Sequence, residues 1–312
     1  MIIDMHSHWA TKRGYALRSP EALAQQKSTW NSEPAYMTES EMADHFRERG
    51  VAPILDLGFT KDLELAPLME LHDYAFDFQR EHADIVIGHW LNIDPQLGDA
   101  AVRELERCLE ADCFVGLSIS GASNRCPATD EVWKPLVDTC EARGCPVLVM
   151  VGHNGSGAGL PGGAGMILDH CHPRYIDALA ATHPNLRILA GRPAWPWQDE
   201  MISVMLHKPN VWNELHGWSP RYLTPSLQHE ISRRLRSRIM FGADFPLLTY
   251  ERLESDWLSL GFDDAVLNGV LRDNSARFLS GGRPFEAQAR IAEWLGEPVP
   301  ARLLETRVDE PS

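Results

Sequence analysis

Short apolar segments of strand length recur along the chain, and a segment with the spacing of an amphipathic helix separates each from the next. Their apolar character is continuous rather than alternating, which is typical of parallel strands covered on both faces. The pattern predicts eight strands, at residues 2–6, 51–57, 85–91, 113–119, 146–151, 186–191, 210–215 and 238–243.

Two of the intervening helices carry clear end signals. Thr38 and Glu41 have the spacing of a capping box, and that helix is expected to end at Gly50. Another helix is predicted to begin at Thr129 and to end at Gly144. Eight strands alternating with helices over this length predict an α/β fold, a (β/α)₈ barrel occupying residues 1–280. A doubly wound open sheet is the alternative, but no G-x-G-x-x-G motif follows the first strand.

Three segments exceed ordinary connections. Residues 9–37 form a long first loop and residues 152–165 are rich in glycine, and since both follow strands we expect them at the catalytic face, where they could act as lids. Residues 281–312 are predicted to add one helix and a tail beyond the barrel. The tail is interpreted as a subunit contact, with a disordered end as the alternative.

Composition narrows the class of protein. The formal net charge of −15 argues against nucleic acid or an anionic membrane as a partner, because both require a basic face. The chain shows neither the pattern of a secretory signal nor an apolar run long enough to cross a bilayer, so we expect a cytoplasmic protein. Its six cysteines form no C-x-x-C pair and are expected to be buried free thiols.

Polar residues lie where the predicted strands end, which is where the chemistry of such barrels takes place. A ring of imidazole and carboxylate groups at this edge favours a divalent transition metal, with zinc as the first expectation and manganese or iron as alternatives. The strand-end residues are His6, His8, His89, His153, Arg192, Glu214, His216 and Asp244.

His6 and His8 carry the strongest signal. Their spacing of two on a strand places both imidazoles on one face, so that they could share one ion. Asp244 follows the last apolar strand and needs a partner if it is buried. Because the first and last strands are neighbours in a closed barrel, Asp244 is expected to serve as a ligand or a general base.

Several motifs resemble the amidohydrolase-related family, in the branch that includes aminocarboxymuconate-semialdehyde decarboxylase, resorcylate-type decarboxylases and a 4-hydroxyphenyl-β-ketoacyl-CoA hydrolase. The resemblance runs from residue 1 to Leu279. It implies a distorted (β/α)₈ barrel with a metal held by H-x-H, by histidines after strands 5 and 6, and by an aspartate after strand 8. The motifs are DMHSH at 4–8, GGAG at 162–165, HP at 172–173, THPNL at 182–186, AWPWQDE at 194–200, KPNV at 208–211, GWSP at 217–220 and FGADFPL at 241–247.

Residue by residue, the resemblance assigns metal-binding roles to His6, His8 and Asp244. Two other positions depart from the family pattern, because Met150 stands at the strand-5 ligand and Arg192 at the strand-6 ligand. A thioether is a poor ligand for such ions, so Met150 is expected to pack.

Two other histidines could complete the set of ligands, His153 on the glycine-rich loop and His216 after strand 7. For His153 a hydrogen bond to loop backbone is an equal alternative. His89 could face either the barrel core or the site. His172 is expected to have a loop or helix-capping role.

The sequence therefore predicts a metal-dependent enzyme that acts on a small carboxylate or amide-type substrate by hydrolysis or nonoxidative decarboxylation. Arg192 would bind a substrate carboxylate, and Asp244 would also accept a proton. The tryptophans at 195, 197 and 218 could wall the pocket.

Two alternatives follow from the altered ligand positions. The chain could be a subunit that binds one metal ion and supports a homologous partner in a metal-dependent oxygenase, as in proteins similar to 2-aminoisobutyrate hydroxylase. It could also be a metal-free enzyme in which Arg192 replaces part of the ion's charge. A homo-oligomer is expected under the first hypothesis and a hetero-oligomer under the oxygenase hypothesis.

Overall fold

The computed structural model describes residues 1–58, 60–61 and 63–295. Within these residues eight parallel strands pair in sequence order, each with the next. The predicted (β/α)₈ barrel is therefore confirmed. The strands are β1 Ile2–Ser7, β2 Val51–Asp56, β3 Gly88–Asn92, β4 Phe114–Ile119, β5 Val147–Met150, β6 Ile188–Gly191, β7 Val211–Glu214 and β8 Ile239–Met240.

Helices cover the outside of the barrel and one of its ends. None of those in the described part of the chain is long and apolar enough to cross a membrane. Short 3₁₀ turns and one π-helical turn, Gly269–Asp273, complete the structure. The α-helices are α1 Pro20–Trp30, α2 Glu39–Arg49, α3 Leu65–His82, α4 Asp99–Glu110, α5 Gly121–Asn124, α6 Lys134–Arg143, α7 Pro173–Thr182, α8 Gln198–His207, α9 Pro225–Ile231, α10 Tyr250–Ser259, α11 Asp264–Asn268, α12 Asn274–Ser280 and α13 Gln288–Glu293.

Alternate residues of each strand enter two separate apolar layers. In β5, Leu148 and Met150 lie inside the barrel, whereas Val147 and Val149 face the helices. Residues of α12 and α13 extend the inner layer beyond the barrel. Burial on both faces explains why the strands read as continuous apolar runs.

Backbone hydrogen bonds join β1 to the segment around β8 and so close the barrel. Met5 N donates to the carbonyl of Phe241 at 3.0 Å, and Asp244 N donates to the carbonyl of His6 at 2.9 Å. The ends of the first and last strands are therefore neighbours, as the sequence predicts.

Several local expectations are also tested. The capping box at Thr38 and Glu41 is confirmed, and α2 ends at Gly50 with φ of 59°. The helix predicted from Thr129 instead begins at Lys134, because consecutive turns occupy the intervening residues and the Asp130 carboxylate accepts the Val132 N–H at 3.1 Å.

The first long loop contains more regular structure than the sequence suggests, because it carries α1. The helix predicted in the segment beyond the barrel is confirmed as α13. The rest of the tail, residues 296–312, lies outside the described residues, so its expected subunit contact stays a prediction. All six cysteines are free and buried.

Candidate metal centre and substrate cavity

An irregularity at the end of β1 brings His6 and His8 together. The pairing of β1 with β2 shifts register between Asp4 and Ser7, and the Trp90 indole donates to the carbonyl of Met5 at 2.7 Å. Both histidines are buried, and their Nε2 atoms lie 3.4 Å apart. Two imidazole lone pairs at this separation repel each other unless a proton or a cation lies between them.

Asp244 lies beside this pair, on the turn after β8. Its φ of 65° is in the left-handed region, which aspartate adopts more readily than most residues. Its Oδ1 lies 3.2 Å from His8 Nε2 and has no hydrogen-bond partner of good geometry among the described residues. The turn thus aims a buried carboxylate oxygen at the two imidazoles.

The ionisable groups of this cluster shift one another's pKa values. Burial alone would raise the pKa of Asp244, but the close contact with His8 and the charges of His216, His8 and Arg192 hold that pKa well below its usual value. Burial lowers the pKa of His6 well below its usual value, and neighbouring positive groups add to this shift. Burial would also lower the pKa of His8, but Asp244 and Asp56 raise it overall.

His216 stands behind His6, with the ring centroids 3.7 Å apart and nearly parallel. Its Nδ1 donates to Glu214 Oε1 at 2.5 Å, which leaves Nε2 to accept from Arg192 Nε at 3.1 Å. Both ring nitrogens are therefore occupied. The ligand atoms of His216 and those of His6 and Glu214 nevertheless lie within 4.8 Å of one another and could hold a metal ion, so the expected role of His216 in the metal site stays a prediction.

Arg192 follows β6, and its backbone φ of 78° lies in the left-handed region, which is uncommon for residues other than glycine. Its Nη1 donates to the carbonyl of His153 at 3.2 Å, while Nε is held by His216. The guanidinium is thus fixed at the carboxyl edge of the barrel, and a strained, pinned cation of this sort is typical of a functional site.

Two glycines make room for the Glu214 carboxylate, which holds His216 in place beside Arg192. A Cβ at Gly242 would come within 2.3 Å of Glu214 Oε2, and one at Gly191 would come within 3.0 Å of Glu214 Oε1. Glu214 is completely buried. The end of β6 and the segment after β8 therefore depend on glycine to accommodate the Glu214 carboxylate between them.

The residues present fit a divalent metal ion. Ligand atoms of His6, His8 and Asp244 all lie within 4.8 Å of one another. The Nδ1 of His8 lies 2.9 Å from the carbonyl of Asp56, and a hydrogen bond there fixes the tautomer that presents Nε2 as a ligand. Two imidazoles and one carboxylate form a ligand set that leaves coordination positions open.

A similar group at His72, Glu104 and Cys108 lies under the helices. Its polar atoms are already paired, since His72 contacts Glu104 Oε1 at 2.6 Å and Glu104 also accepts from Arg107 at 2.7 Å. We interpret this second group as part of the packing between α3 and α4.

The other candidate residues lie elsewhere. His153 is outside the cluster, with its ring against Trp195 and Trp218 at centroid distances of 5.8 and 6.4 Å. None of the groups of described residues that could hold a metal ion includes His153, and its role as a ligand stays a prediction. Burial and the charge of Arg192 lower the pKa of His153. His89 faces neither the barrel interior nor the site, because it is completely buried against Trp9 in the apolar layer between strands and helices.

Three further expectations have clear outcomes. Met150 packs in the inner apolar layer, as predicted. His172 caps α7, with Nδ1 accepting from Arg174 N at 3.2 Å, which confirms its capping role. Trp197 packs against His172 and does not line a cavity beside the His6, His8 and Asp244 cluster.

Two adjacent cavities open beside the cluster. The inner chamber, of about 500 Å³ including open solvent at its mouth, is lined by His6, His8, Met150 and Arg192 on one side. The outer vestibule, of about 1280 Å³ including open solvent, shares His8 and Arg192 with the chamber. Its walls are largely aromatic and aliphatic, from Tyr15, Leu17, Trp30, Trp218, Leu247 and Leu248.

Sequence reasoning missed the residues that organise this site. Asp4 accepts from the backbone of His6 and Ala243 and from the hydroxyls of Ser7 and Tyr250, and so joins β1 to the turn before Asp244. Burial raises the pKa of Asp4 to about 7, against those hydrogen bonds. The position of Asp4 at the start of the DMHSH motif was a signal that could have found it.

The far wall of the inner chamber was missed as well. Asp56, Asn92, Ser118 and Ser120 line it, at the ends of β2, β3 and β4. Asp56 and Asn92 belong to predicted strand ends, but neither has the metal-ligand pattern that drew attention to the histidines.

The sequence model of the amidohydrolase family matches residues 3–281. No curated protein sequence matches the chain significantly.

Solved structures share the barrel. An uncharacterized TIM-barrel protein from Bordetella bronchiseptica is similar, with a TM-score of 0.66 and 18% identity, over 90% of this chain and 98% of that one. The 5-carboxyvanillate decarboxylase of Sphingomonas paucimobilis has a TM-score of 0.64 and 16% identity, over 89% and 98%. A dihydroxybenzoic acid decarboxylase of Polaromonas, crystallised with manganese and 2-nitroresorcinol, has a TM-score of 0.65 and 16% identity, over 91% and 98%. At these identities the likeness shows the fold alone.

Proposed function

The chain belongs to the amidohydrolase family, and we propose that it is a metal-dependent enzyme acting on a small carboxylate or amide-type substrate, by nonoxidative decarboxylation or hydrolysis. The observation that carries this proposal is the convergence of His6, His8 and Asp244 beside a cavity that also contains a fixed arginine. Two proteins with the same fold are decarboxylases, which supports decarboxylation as one of the two proposed reactions.

A divalent ion held by His6, His8 and Asp244 would supply polarisation of a substrate oxygen or acidification of a water molecule. Zinc suits the two imidazoles and the carboxylate. Manganese also suits them, and its presence in the Polaromonas decarboxylase supports it as an alternative.

Arg192 would bind the substrate's anionic group. Its guanidinium always carries a charge, and two of its donors are already held by His216 and the carbonyl of His153, so its orientation is set before the substrate arrives. Preorganised charge of this kind lowers the cost of ordering the complex.

Asp244 would move the proton. In decarboxylation the bond to the carboxyl carbon breaks, carbon dioxide leaves and a proton is added to the substrate carbon; in hydrolysis water adds and gives up a proton. Asp244 faces both His8 and the vestibule, so a proton can be exchanged there in either direction. The aromatic walls of the vestibule would exclude water and pack against an apolar part of the substrate.

One observation favours a second candidate function. A ligand set of two histidines and one carboxylate with open positions is also used by non-haem iron oxygenases. The chain would then be the metal-binding, supporting subunit of a hetero-oligomeric oxygenase.

The test is turnover by the purified chain loaded with zinc or manganese. Hydroxybenzoates would report decarboxylation through released carbon dioxide, and amides and lactones would report hydrolysis through released acid. We expect one class to be turned over, activity to be lost in Asp244→Asn, and activity to persist in His153→Gln. Turnover that requires a co-expressed homologous chain and dioxygen would contradict the proposal and favour the second candidate.

A further inference from the structure

Two buried polar atoms on the far wall of the inner chamber lack partners. The Ser118 hydroxyl and Asn92 Oδ1 are buried and make no hydrogen bond within the described residues. Ser118 is only 3% exposed, and both residues line the chamber. Most buried polar groups in proteins are hydrogen-bonded, so two adjacent exceptions in a cavity need an explanation.

The pairing of β3 with β4 places these atoms side by side. Asn92 and Ser118 are register partners on neighbouring strands. Neighbouring strands lie about 4.8 Å apart, so one small group in the chamber can reach both side chains. In the strand order of the barrel, this pair is separated from Arg192, which follows β6, by β5.

The neighbours of Asn92 determine what that group must offer. Its Nδ2 donates to Asp56 Oδ2 at 3.4 Å, which orients the amide and leaves Oδ1 facing away from the carboxylate. An amide oxygen only accepts, so the missing partner must be a donor. The backbone carbonyl of Asn92 is itself occupied by His72 Nε2 at 3.2 Å, which holds this end of β3 in place.

Ser118 contrasts with the nearest hydroxyl of the same wall. Ser120 also lines the chamber, but its hydroxyl contacts Ser123 Oγ at 3.0 Å and caps α5. The hydroxyl of Ser118 is left to donate or to accept. Leaving such a group unpaired is unfavourable, and a ligand that pairs with it recovers this loss.

We propose that Asn92 and Ser118 form a specificity site that binds a substrate hydroxyl group. A hydroxyl can donate to Asn92 Oδ1 and accept from Ser118 Oγ at once. A carboxylate fits poorly, because it has no proton for Asn92 and would lie near the charge of Asp56. An ammonium group is disfavoured by Lys61, which lines the same chamber. The substrate class is therefore a hydroxylated organic anion, with its charge at Arg192. This inference rests on the proposed function, since it takes Arg192 as the anion site.

The test is calorimetric titration of the full chain with matched probes: benzoate, the three monohydroxybenzoates and the three aminobenzoates. At least one hydroxybenzoate is expected to bind about 5- to 150-fold more tightly than benzoate, as two hydrogen bonds would give. Ser118→Ala should reduce this preference about 2- to 10-fold, since it removes one of the two bonds. The matched control Ser120→Ala should keep the preference.

Three outcomes would overturn the inference. They are equal binding of benzoate and all hydroxybenzoates, a hydroxyl preference that is undiminished in Ser118→Ala, and a stronger preference for an aminobenzoate. Thermal unfolding of Ser118→Ala provides a further check. A clear drop in Tm would show that the hydroxyl has a partner in the free protein, which also contradicts the inference.

The same titrations separate this inference from the proposed function. Benzoate binding that depends on Arg192, without a hydroxyl preference, would remove only the specificity site. Failure of every probe to bind the wild type would count against both the anion site and the hydroxyl site.

Discussion

Replacing Arg192 by glutamine tests the anion site. Glutamine is also polar, but it lacks the positive charge. It also removes the Arg192 Nε–H, which donates a hydrogen bond to His216 Nε2 at 3.1 Å. A hydrogen bond to a charged group contributes about 1.5–3 kcal/mol. Affinity for an anionic probe is therefore expected to fall about 10- to 150-fold. Because Arg192 is only partly buried, the lower half of that range is the better expectation.

The assay compares benzoate with neutral benzamide by calorimetric titration. Only binding of the anion should weaken in Arg192→Gln. Arg192→Lys keeps the charge but loses the fixed, forked geometry, so it should give an intermediate affinity. Arg174 provides a matched control, since it is exposed, pairs with Asp169 and lies outside both cavities. Arg174→Gln should bind benzoate as the wild type does.

The reasoning would be refuted if Arg192→Gln bound benzoate with wild-type affinity. It would also be refuted if benzoate and benzamide lost affinity equally, because the arginine would then shape the cavity rather than bind a charge.

Other predictions concern groups around the site. Asp4→Ala leaves four buried donors without their acceptor, so it should lower the free energy of unfolding by about 3–5 kcal/mol in urea titrations. Asp44→Ala, which loses an exposed ion pair, should cost at most about 1 kcal/mol. Equal losses would contradict the role of Asp4. The charge of Arg192 lowers the pKa of His153, so NMR titration should find that pKa higher in Arg192→Gln; an unchanged pKa would place the guanidinium elsewhere. Burial raises the pKa of Cys113 to about 12, and all six thiols are buried, so the native protein should react slowly with a disulfide reagent. Rapid reaction of a native thiol would contradict this packing.

The barrel could be predicted because its strands are buried on both faces and so show continuous apolar runs. The first and last residues of individual helices and strands were harder to predict. Strand β8 has only two paired residues, although six were expected, because the chain turns toward β1 immediately after Met240. The helix expected at Thr129 begins later because the Asp130 side chain stabilises a turn.

The site was predictable only where spacing along one strand, or the neighbouring ends of β1 and β8, determines the geometry. His6, His8 and Asp244 meet these conditions. The position of His216 depends on a hydrogen bond from Arg192, which belongs to another strand, so spacing alone could not reveal that its nitrogens are occupied. His89 faces outward beside a register shift between β3 and β4, and such a shift leaves no signature in the sequence.

The central claim is that His6, His8 and Asp244 hold a divalent metal ion. Elemental analysis of protein isolated without added metal tests it most directly. We expect about one divalent ion per chain in the wild type. The control His153→Gln should retain it, since His153 belongs to none of the groups of described residues that could hold a metal ion. His6→Ala and Asp244→Asn should both lose the ion, whereas retention of stoichiometric metal in both variants would contradict the account.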